Sequence, residues 1–370
     1  MPKGAPPIHG AEVVLPCRRL DETLAFMRDR LGFRLLAVYP ADAPTVFVVE
    51  RGGLRVRFDG AAKGEPGVLR LLCEDPAAVG GGETRLVAPD GTRIDLVHAD
   101  PPVVLPPLQS SLVVTRMQGH DAWSMGRAGM RYRDLIPDRQ GGRFIASHIH
   151  IPDGGPVPDY PHFHKVRFQM IFCYRGWVRV TYEDQGPDFV MEAGDCVLQP
   201  PRIRHRVLEC SPDLEVVEVG CPAAHETIVD YDGGLPSGPS RPDREFDGQR
   251  FVRHVASATS WAPGPEGFEV RDTGISVATG GMADVVALRR AEEAGGEVIV
   301  HDGELLFTFV VAGTVRLDCD GSDGEPLGEA DACVIPAGLP FALRDPSPDL
   351  EMLRVTLPSD SGLRSSSPTG

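Results

Sequence analysis

The stretch YPHFHKVRFQMIFCYRGW, residues 160–177, places two histidines one residue apart just before a dense apolar and aromatic run. Alternate side chains of a β-strand point to the same face, so His162 and His164 can face one side of a sheet together. Neutral imidazole nitrogens are good ligands for divalent transition metals. Two ligands hold a metal poorly, so a metal site here needs a third from elsewhere in the chain.

The third candidate is His205, the last residue of the segment AGDCVLQPPRIRH, residues 193–205. A Pro-Pro turn precedes this histidine, and another apolar strand follows it. We expect the three histidines to converge on one divalent cation.

These two segments resemble the two sequence motifs of the cupin family, over roughly residues 120–222. The first cupin motif has two histidines, a glutamate and a glycine, and the second has the form G-D-x-V-x-x-P-x-x-x-x-H. The matching residues are His162, His164, Gln169 and Gly176 in the first motif, and Gly194, Asp195, Val197, Pro200 and His205 in the second. The resemblance implies a β-barrel that binds a metal through the three histidines.

Gln169 departs from the motif, because an amide stands where the family has a glutamate. By resemblance, three-histidine cupins without that carboxylate include thiol dioxygenases and ring-cleaving dioxygenases of the gentisate type. In such enzymes the open metal positions let the substrate and O2 share one Fe(II). The resemblance makes Gln169 a fourth ligand or a group beside the ligands.

The sequence contains an internal repeat. WSMGRAGMRYRD (123–134) is echoed by WAPGPEGFEVRD (261–272), an offset of 138, and SPDLEVVEV (211–219) by SPDLEMLRV (347–355), an offset of 136. Short strands separated by Gly, Pro and Asp fill both copies, which is typical of β-barrels. We predict a mainly β protein with two tandem cupin barrels, over residues 112–228 and 250–357.

The second copy lacks the candidate ligands. Ile299 stands at the place of His162, Leu306 at that of Gln169 and Phe341 at that of His205, and only His301 matches His164. One histidine cannot replace three. We therefore expect the second barrel to keep its fold without a metal, and the asymmetry favours the ligand interpretation of the first barrel.

Residues 8–100 have a different pattern, which predicts a small α+β domain of βαβββ order without a clear second helix. VVLPCRRLDETLAFMRDRLGFRLL and APDGTRIDLV resemble the vicinal-oxygen-chelate (glyoxalase/bleomycin-resistance) family. The resemblance puts Glu12 and Asp95 at two of that family's metal positions. Two carboxylates without a histidine make a poor site, so we expect a degenerate domain used for packing or dimerisation.

Three other polar residues are candidate substrate contacts in the first barrel. His148 and His150 alternate on the strand before the ligand pair, and a polar rim is an equally good interpretation of them. Arg204 lies beside His205 and could attract a carboxylate, although arginines next to a turn are more often solvated.

The bulk composition limits the partners. The formal net charge is −16 and no stretch gathers lysine or arginine into a stripe, which argues against nucleic acid. The eight cysteines form no C-x-x-C pair, and no apolar run is long enough to span a membrane. We expect a cytoplasmic protein that can form a homodimer, with a disordered tail over residues 358–370.

These observations favour a mononuclear cupin dioxygenase that acts with O2 on a small aromatic or thiol metabolite. Fe(II) is the preferred metal, and the same imidazoles also suit Zn, Mn or Ni. One alternative is a non-redox metal-dependent isomerase, lyase or hydrolase. Another is a bicupin that binds a small ligand without catalysis.

Overall fold

The structure is a computed structural model that describes residues 8–117, 123–126, 129–232, 234–238, 240–291, 296–319 and 324–365. The chain divides into two compact units, Met1–Pro102 and Val103–Gly370. Within the described ranges, no helix is both long and apolar enough to cross a membrane.

The N-terminal unit begins with the predicted βαβββ order. Its first elements are β1 (Val13–Pro16), α1 (Leu20–Ala25), which continues as a π-helical turn over Phe26–Arg30, β2 (Arg34–Tyr39), β3 (Val46–Arg51) and β4 (Leu54–Asp59). The sheet order is β1-β4-β3-β2, with β1 parallel to β4. Met27 and Leu31 lie on the buried face of the helical segment, against Phe47 and Phe58 of the sheet.

The second half of this unit contains a helix that the sequence analysis did not predict. The elements are β5 (Val68–Cys73), α2 (Pro76–Gly80), β6 (Arg85–Val87) and β7 (Arg93–His98), with β5 parallel to β7. The Asp75 carboxylate caps α2 by accepting from the Ala78 N–H at 2.9 Å, and Pro76 opens its first turn. With five residues, α2 is too short to show an apolar period.

The first barrel is built from two facing sheets. The strands up to its end are β8 (Val113–Thr115), β9 (Ser124–Met125), β10 (Arg131–Asp134), β11 (Ile145–Ile151), β12 (Gly155–Pro156), β13 (His162–His164), β14 (Phe168–Arg175), β15 (Trp177–Tyr182), β16 (Phe189–Glu192), β17 (Cys196–Leu198), β18 (His205–Cys210), β19 (Leu214–Cys221) and β20 (Thr227–Val229). One sheet contains β17-β14-β19-β11-β10-β9 and the other β16-β15-β18-β13-β20.

The second barrel repeats this arrangement. The remaining elements are β21 (Glu245–Phe246), β22 (Gln249–Arg250), β23 (Val252–His254), β24 (Ala262–Pro263), β25 (Phe268–Asp272), α3 (Ile275–Ala278), β26 (Asp284–Arg290), β27 (Ile299–Val300), β28 (Leu305–Ala312), β29 (Val315–Cys319), β30 (Glu325–Leu327), β31 (Ala332–Val334), β32 (Phe341–Arg344), β33 (Glu351–Leu357) and β34 (Arg364–Ser365), with 3₁₀ turns over Ala256–Ala258 and Pro265–Gly267. Its sheets are β24-β25-β26-β33-β28-β31 and β30-β29-β32-β27-β34.

The two barrels exchange a strand at their sheet edges. β8 precedes the first barrel in the chain but pairs with β31 of the second, and β23 precedes the second barrel but pairs with β17 of the first. Each of the sequence segments 112–228 and 250–357 therefore contributes its first strand to the other barrel. The paired edges are covered by this exchange, which removes them as templates for pairing with other chains.

A continuous apolar core joins the barrels. Phe168, Met170 and Phe172 of β14 lie in one buried cluster with Phe307 and Phe309 of β28. At one margin of this core, Glu304 accepts hydrogen bonds from Arg143 and Arg167 of the first barrel. The barrels are therefore held together by apolar packing and by charged pairs.

The prediction of a disordered tail over residues 358–370 is wrong for residues 358–365. Arg364–Ser365 forms β34, which pairs with β27, and Ser361 is buried. Arg364 also forms an ion pair with Asp302. A serine-rich segment can join a sheet edge because strand pairing depends on backbone groups; residues 366–370 lie outside the described part of the chain.

Candidate metal centre

The three predicted ligands lie together in the first barrel. His162 is directly opposite His205 across β13 and β18, and His164 lies one alternation further along β13. One ligand nitrogen from each ring lies within 4.8 Å of the others, and all three rings are buried. Among the described residues, this is the one group of three metal-ligating side chains that meets this distance.

The turn before β18 brings the third histidine to the other two. Arg202 adopts the left-handed conformation, with φ of 64°, and its N–H donates to the His164 carbonyl at 2.9 Å. Pro200 and Pro201 precede it, so the chain reverses within a few residues. The turn thus fixes the start of β18 against β13.

Backbone acceptors set the tautomers of two of these rings. His162 Nδ1 lies 2.8 Å from the Tyr160 carbonyl oxygen, and His205 Nδ1 lies 3.0 Å from that of Ile203. A carbonyl can only accept, so each Nδ1 donates and Nε2 of the neutral ring keeps its lone pair. His164 Nδ1 contacts the Thr227 hydroxyl at 3.0 Å. This donor set fits a divalent transition metal held by three neutral imidazoles.

A cavity of about 350 Å³ lies inside the first barrel, with His164 and His205 on its wall. Strand alternation explains most of its lining, because alternate residues of each strand face the interior. The other wall residues are mainly aliphatic: Met130, Ile145, Ile149, Ile151, Ile171, Val178, Val180, Met191, Val207, Leu214 and Val216. The candidate metal centre therefore borders an apolar chamber large enough for a small organic molecule.

Gln169 lines the same cavity and is almost fully buried. Its side-chain NH₂ donates to a carboxylate oxygen of Glu218 at 2.5 Å. One N–H of the NH₂ group is used by this bond, which leaves the other N–H as a donor and the carbonyl oxygen as an acceptor. Glu218 belongs to neither cupin motif, so no pattern in the sequence identified it as a site residue.

Two more wall residues support the histidines. The Tyr182 ring stacks on that of His205, with centroids 5.5 Å apart, and its hydroxyl accepts from Gln199 at 2.8 Å. Burial raises the pKa of Tyr182 above its usual range, so this phenol stays protonated. His225 also lines the cavity and contacts His164 edge-on. Tyr182 and His225 lie on segments outside the motifs, and no pattern in the sequence singled them out.

His148 and His150 point away from the cavity. The residues of β11 that line it alternate with them, so the two histidines lie on the opposite face. His148 is fully buried between Glu215, at 2.5 Å, and Arg133, at 3.1 Å. Burial lowers the pKa of His148 and outweighs the hydrogen bond to Glu215. The structure does not place this predicted pair in the lining of the cavity.

Arg204 is also outside the lining of the cavity. Its guanidinium is partly exposed and forms ion pairs with Asp230, at 2.9 Å, and Glu183, at 3.6 Å. The neighbouring arginine, Arg206, borders the cavity instead.

The two candidate carboxylates of the N-terminal unit belong to no described group of three ligating side chains. Glu12 is exposed at the start of β1, and Asp95 lies in β7 opposite Arg70 and Arg85.

The second barrel repeats the register of the site without its ligands. Ile299 is directly opposite Phe341, the same pairing as His162 with His205, and both apolar residues are buried in the barrel core. His301 is fully buried, with Nε2 2.8 Å from the Ile335 carbonyl and Nδ1 accepting from the Gly303 N–H. Backbone groups thus engage both of its nitrogens, which leaves it unsuited to a metal.

Comparison with known proteins supports this description of the fold. Residues 147–219 match the family model described as a cupin domain. A search of the curated proteins found no match. An oxalate decarboxylase of Lactobacillus farciminis, solved as a formate complex, is 14% identical with a TM-score of 0.52, over 70% of this chain and 91% of that chain.

A second similar structure is a salicylate 1,2-dioxygenase from Pseudaminobacter salicylatoxidans. It is also 14% identical, with a TM-score of 0.52, over 71% of this chain and 90% of that chain. A mutant of the same enzyme in complex with gentisate is 14% identical, with a TM-score of 0.52, over 72% of this chain and 88% of that chain. This chain has two cupin barrels in tandem. At such identity the likeness shows the fold, and function depends on the site itself.

Proposed function

We propose that the first barrel is a mononuclear metal-dependent dioxygenase, with Fe(II) as its metal and a small aromatic or thiol metabolite as its substrate. The observation that carries the proposal is the convergence of His162, His164 and His205 beside an apolar chamber in one barrel only. The resemblance of this three-histidine set to the dioxygenase cupins adds support.

Iron is favoured because three neutral imidazoles leave open positions that a substrate and O2 can share. A ferrous ion, when bound, supplies the electrons with which O2 is activated. The protein itself contributes the fixed orientation of the imidazoles, through acceptors such as the Tyr160 and Ile203 carbonyls. The aliphatic wall excludes water from the chamber and binds the apolar part of the substrate.

Gln169 and Glu218 would supply the polar part of the chamber. Gln169 stands where other cupins have a carboxylate ligand, and Glu218 holds its amide in place. A formal negative charge is therefore retained in the lining of the same cavity, on the strand next to that of Gln169, although the motif position itself is neutral. A negative charge in the lining of the cavity favours a bound cation.

The test is anaerobic reconstitution with Fe(II), followed by O2-uptake measurements with catechols, gentisate-like phenols and small thiols. We expect uptake with at least one substrate group, and its loss in His162→Ala and His205→Ala. His301→Gln, in the second barrel, is the matched control and should keep full activity. Reconstituted protein that consumes no O2 with any of these compounds would contradict the proposal.

Two alternatives are outcomes of the same experiment. Zinc, manganese or nickel in the native protein, together with O2-independent turnover, would support an isomerase, lyase or hydrolase on the same triad. Unchanged ligand affinity in His162→Ala, with no turnover under any condition, would support a non-catalytic ligand-binding bicupin.

For the N-terminal unit we propose a vicinal-oxygen-chelate-like module that binds no metal. Its two halves each begin with a strand and a helix, and in each the first strand is parallel to the last. The exposed Glu12 and the arginine-flanked Asp95 support the absence of a metal site. Metal analysis of a Glu12→Gln/Asp95→Asn variant should give the same content as the parent protein, and a lower content would contradict this assignment.

A further inference from the structure

Glu218 is a charged residue whose position on the cavity wall is set by strand alternation. On β19, Leu214, Val216 and Glu218 all line the cavity, which puts them on the interior face. The intervening Val217 is fully buried in the core shared by the two barrels. The Glu218 carboxylate is therefore directed to the same side as the aliphatic lining.

The polar partners of this carboxylate leave the chamber with acceptors. One Glu218 oxygen accepts from one N–H of Gln169, so the second oxygen and the Gln169 carbonyl remain as two acceptor sites beside a single amide N–H donor. A substrate group in contact with Glu218 binds most favourably if it can donate a hydrogen bond. Hydrogen bonds to an ionised acceptor are roughly twice as strong as neutral ones.

The second barrel shows that the fold does not require an acid here. Glu218 is opposite Ile171 across β14 and β19, and Arg354 occupies the equivalent place opposite Thr308 across β28 and β33. The partner position also differs, because Leu306 replaces Gln169. Among the described residues, the pair of Gln169 and Glu218 is present in the barrel that has the histidine triad, and the other barrel has Leu306 and Arg354 in its place.

Arg206 also lines the cavity, and its positive charge could attract a substrate carboxylate. In β18 it alternates with His205 and Val207, which face the cavity, and it is opposite Thr181 in the register with β15. Alternation directs its Cβ to the other face of the sheet, so Arg206 borders the cavity from the edge of the interior face. Among the lining residues that alternation directs to the interior, Glu218 carries the negative charge.

We propose that Glu218 is a specificity-determining residue, which selects an apolar substrate bearing a hydroxyl donor and disfavours a substrate with a carboxylate at that position. The inference rests on the proposed function of the metal centre and narrows its substrates to the catechol class. A substrate carboxylate would bring a second anion against Glu218 in an apolar chamber, where repulsion is much stronger than in water.

The test compares catechol with salicylate, two probes that share a ring and one hydroxyl and differ by a hydroxyl against a carboxylate. Their dissociation constants are measured by calorimetry on anaerobic Fe(II)-loaded protein, for the parent, Glu218→Gln and Glu218→Asp. Glu192→Gln, an exposed position outside the cavity, is the matched control.

In Glu218→Gln, which keeps an acceptor for Gln169 but removes the charge, we expect catechol to weaken by about tenfold or more and salicylate to tighten. Glu218→Asp should keep the preference of the parent, and Glu192→Gln should change neither constant. If the catechol-to-salicylate ratio is the same in the parent and in Glu218→Gln, the proposal is overturned. Should Glu218→Gln fail to fold, loss of the preference in Glu218→Asp would overturn it instead.

Metal content is measured on the same samples, which separates this inference from the proposed function. A parent protein that takes up no metal refutes the metal centre. A parent that binds metal, and turns over catechols or other compounds, but shows a preference independent of Glu218, refutes the role of Glu218 alone.

Discussion

Glu304→Gln is expected to weaken the junction between the two barrels. Glu304 of the second barrel accepts from Arg143 Nε at 3.1 Å and from Arg167 Nη1 at 3.1 and 3.2 Å, both in the first barrel. The side chains are largely buried, with 29% exposure for Glu304 and 16% and 25% for the arginines. The substitution keeps the shape of the side chain and removes the charge that both guanidinium groups share.

The magnitude follows from this burial. A hydrogen bond to a charged group contributes about 1.5–3 kcal/mol, and breaking a fully buried pair costs about 3–5 kcal/mol. Because about a quarter of these side chains is exposed, we expect a loss of about 2–3 kcal/mol in the free energy of unfolding. Urea denaturation at pH 7, followed by far-UV circular dichroism, measures it.

The same variant has a defined pH dependence. Burial alone would raise the pKa of Glu304, but the hydrogen bonds from Arg167 and Arg143 outweigh it and hold the pKa below its usual range. The contribution to stability is therefore complete above the unfolded pKa, about 4.3, and is lost as the pH falls through the lower folded pKa. The difference between the parent and Glu304→Gln should shrink in that acidic range.

The control is Glu325→Gln, which removes the carboxylate of an ion pair with Arg116 whose acidic partner is 63% exposed. An exposed pair of this kind contributes less than about 1 kcal/mol. If Glu304→Gln costs no more than this control at pH 7, the reasoning about the junction is refuted.

Three further predictions concern the barrels. Burial lowers the pKa of His148 in the folded protein, so the folded state loses stability relative to the unfolded state as the pH drops below the unfolded pKa of about 6.5. In thermal unfolding between pH 7 and pH 5, His148→Gln should therefore lose less stability than the parent. Gln169→Glu should lower the melting temperature, because two carboxylates then meet, and adding Glu218→Gln should restore it. The double substitution Ile299→His/Phe341→His should bind no second metal ion by elemental analysis. Because it puts two polar rings in a packed core, it should lower the free energy of unfolding by about 3 kcal/mol or more in urea denaturation.

The convergence of the three histidines could be predicted because it depends on local rules. Alternation puts His162 and His164 on one face, and the proline turn returns the chain so that His205 begins the neighbouring strand. The repeat also gave the correct equivalences, since Ile299 and Phe341 pair in the second barrel as their counterparts do in the first. The spacing of residues within a motif depends directly on this short-range geometry, so the spacing predicts it.

Long-range features were not available from the sequence. The role of Glu218 depends on the pairing of β19 with β14, some fifty residues apart in the chain, and the position of His148 depends on which face of β11 meets the second barrel. A one-residue change of register would reverse both faces. The exchange of β8 and β23 between the barrels has no local signal either, because strand pairing uses backbone groups that every residue has.

The most direct test of the account is the metal content of the purified protein and of single-histidine variants, by elemental analysis. The account predicts one divalent metal ion per chain in the parent and in His301→Gln, with strong loss in His162→Ala, His164→Ala and His205→Ala. Equal metal content in all five proteins, or a parent without metal after anaerobic reconstitution, would contradict it.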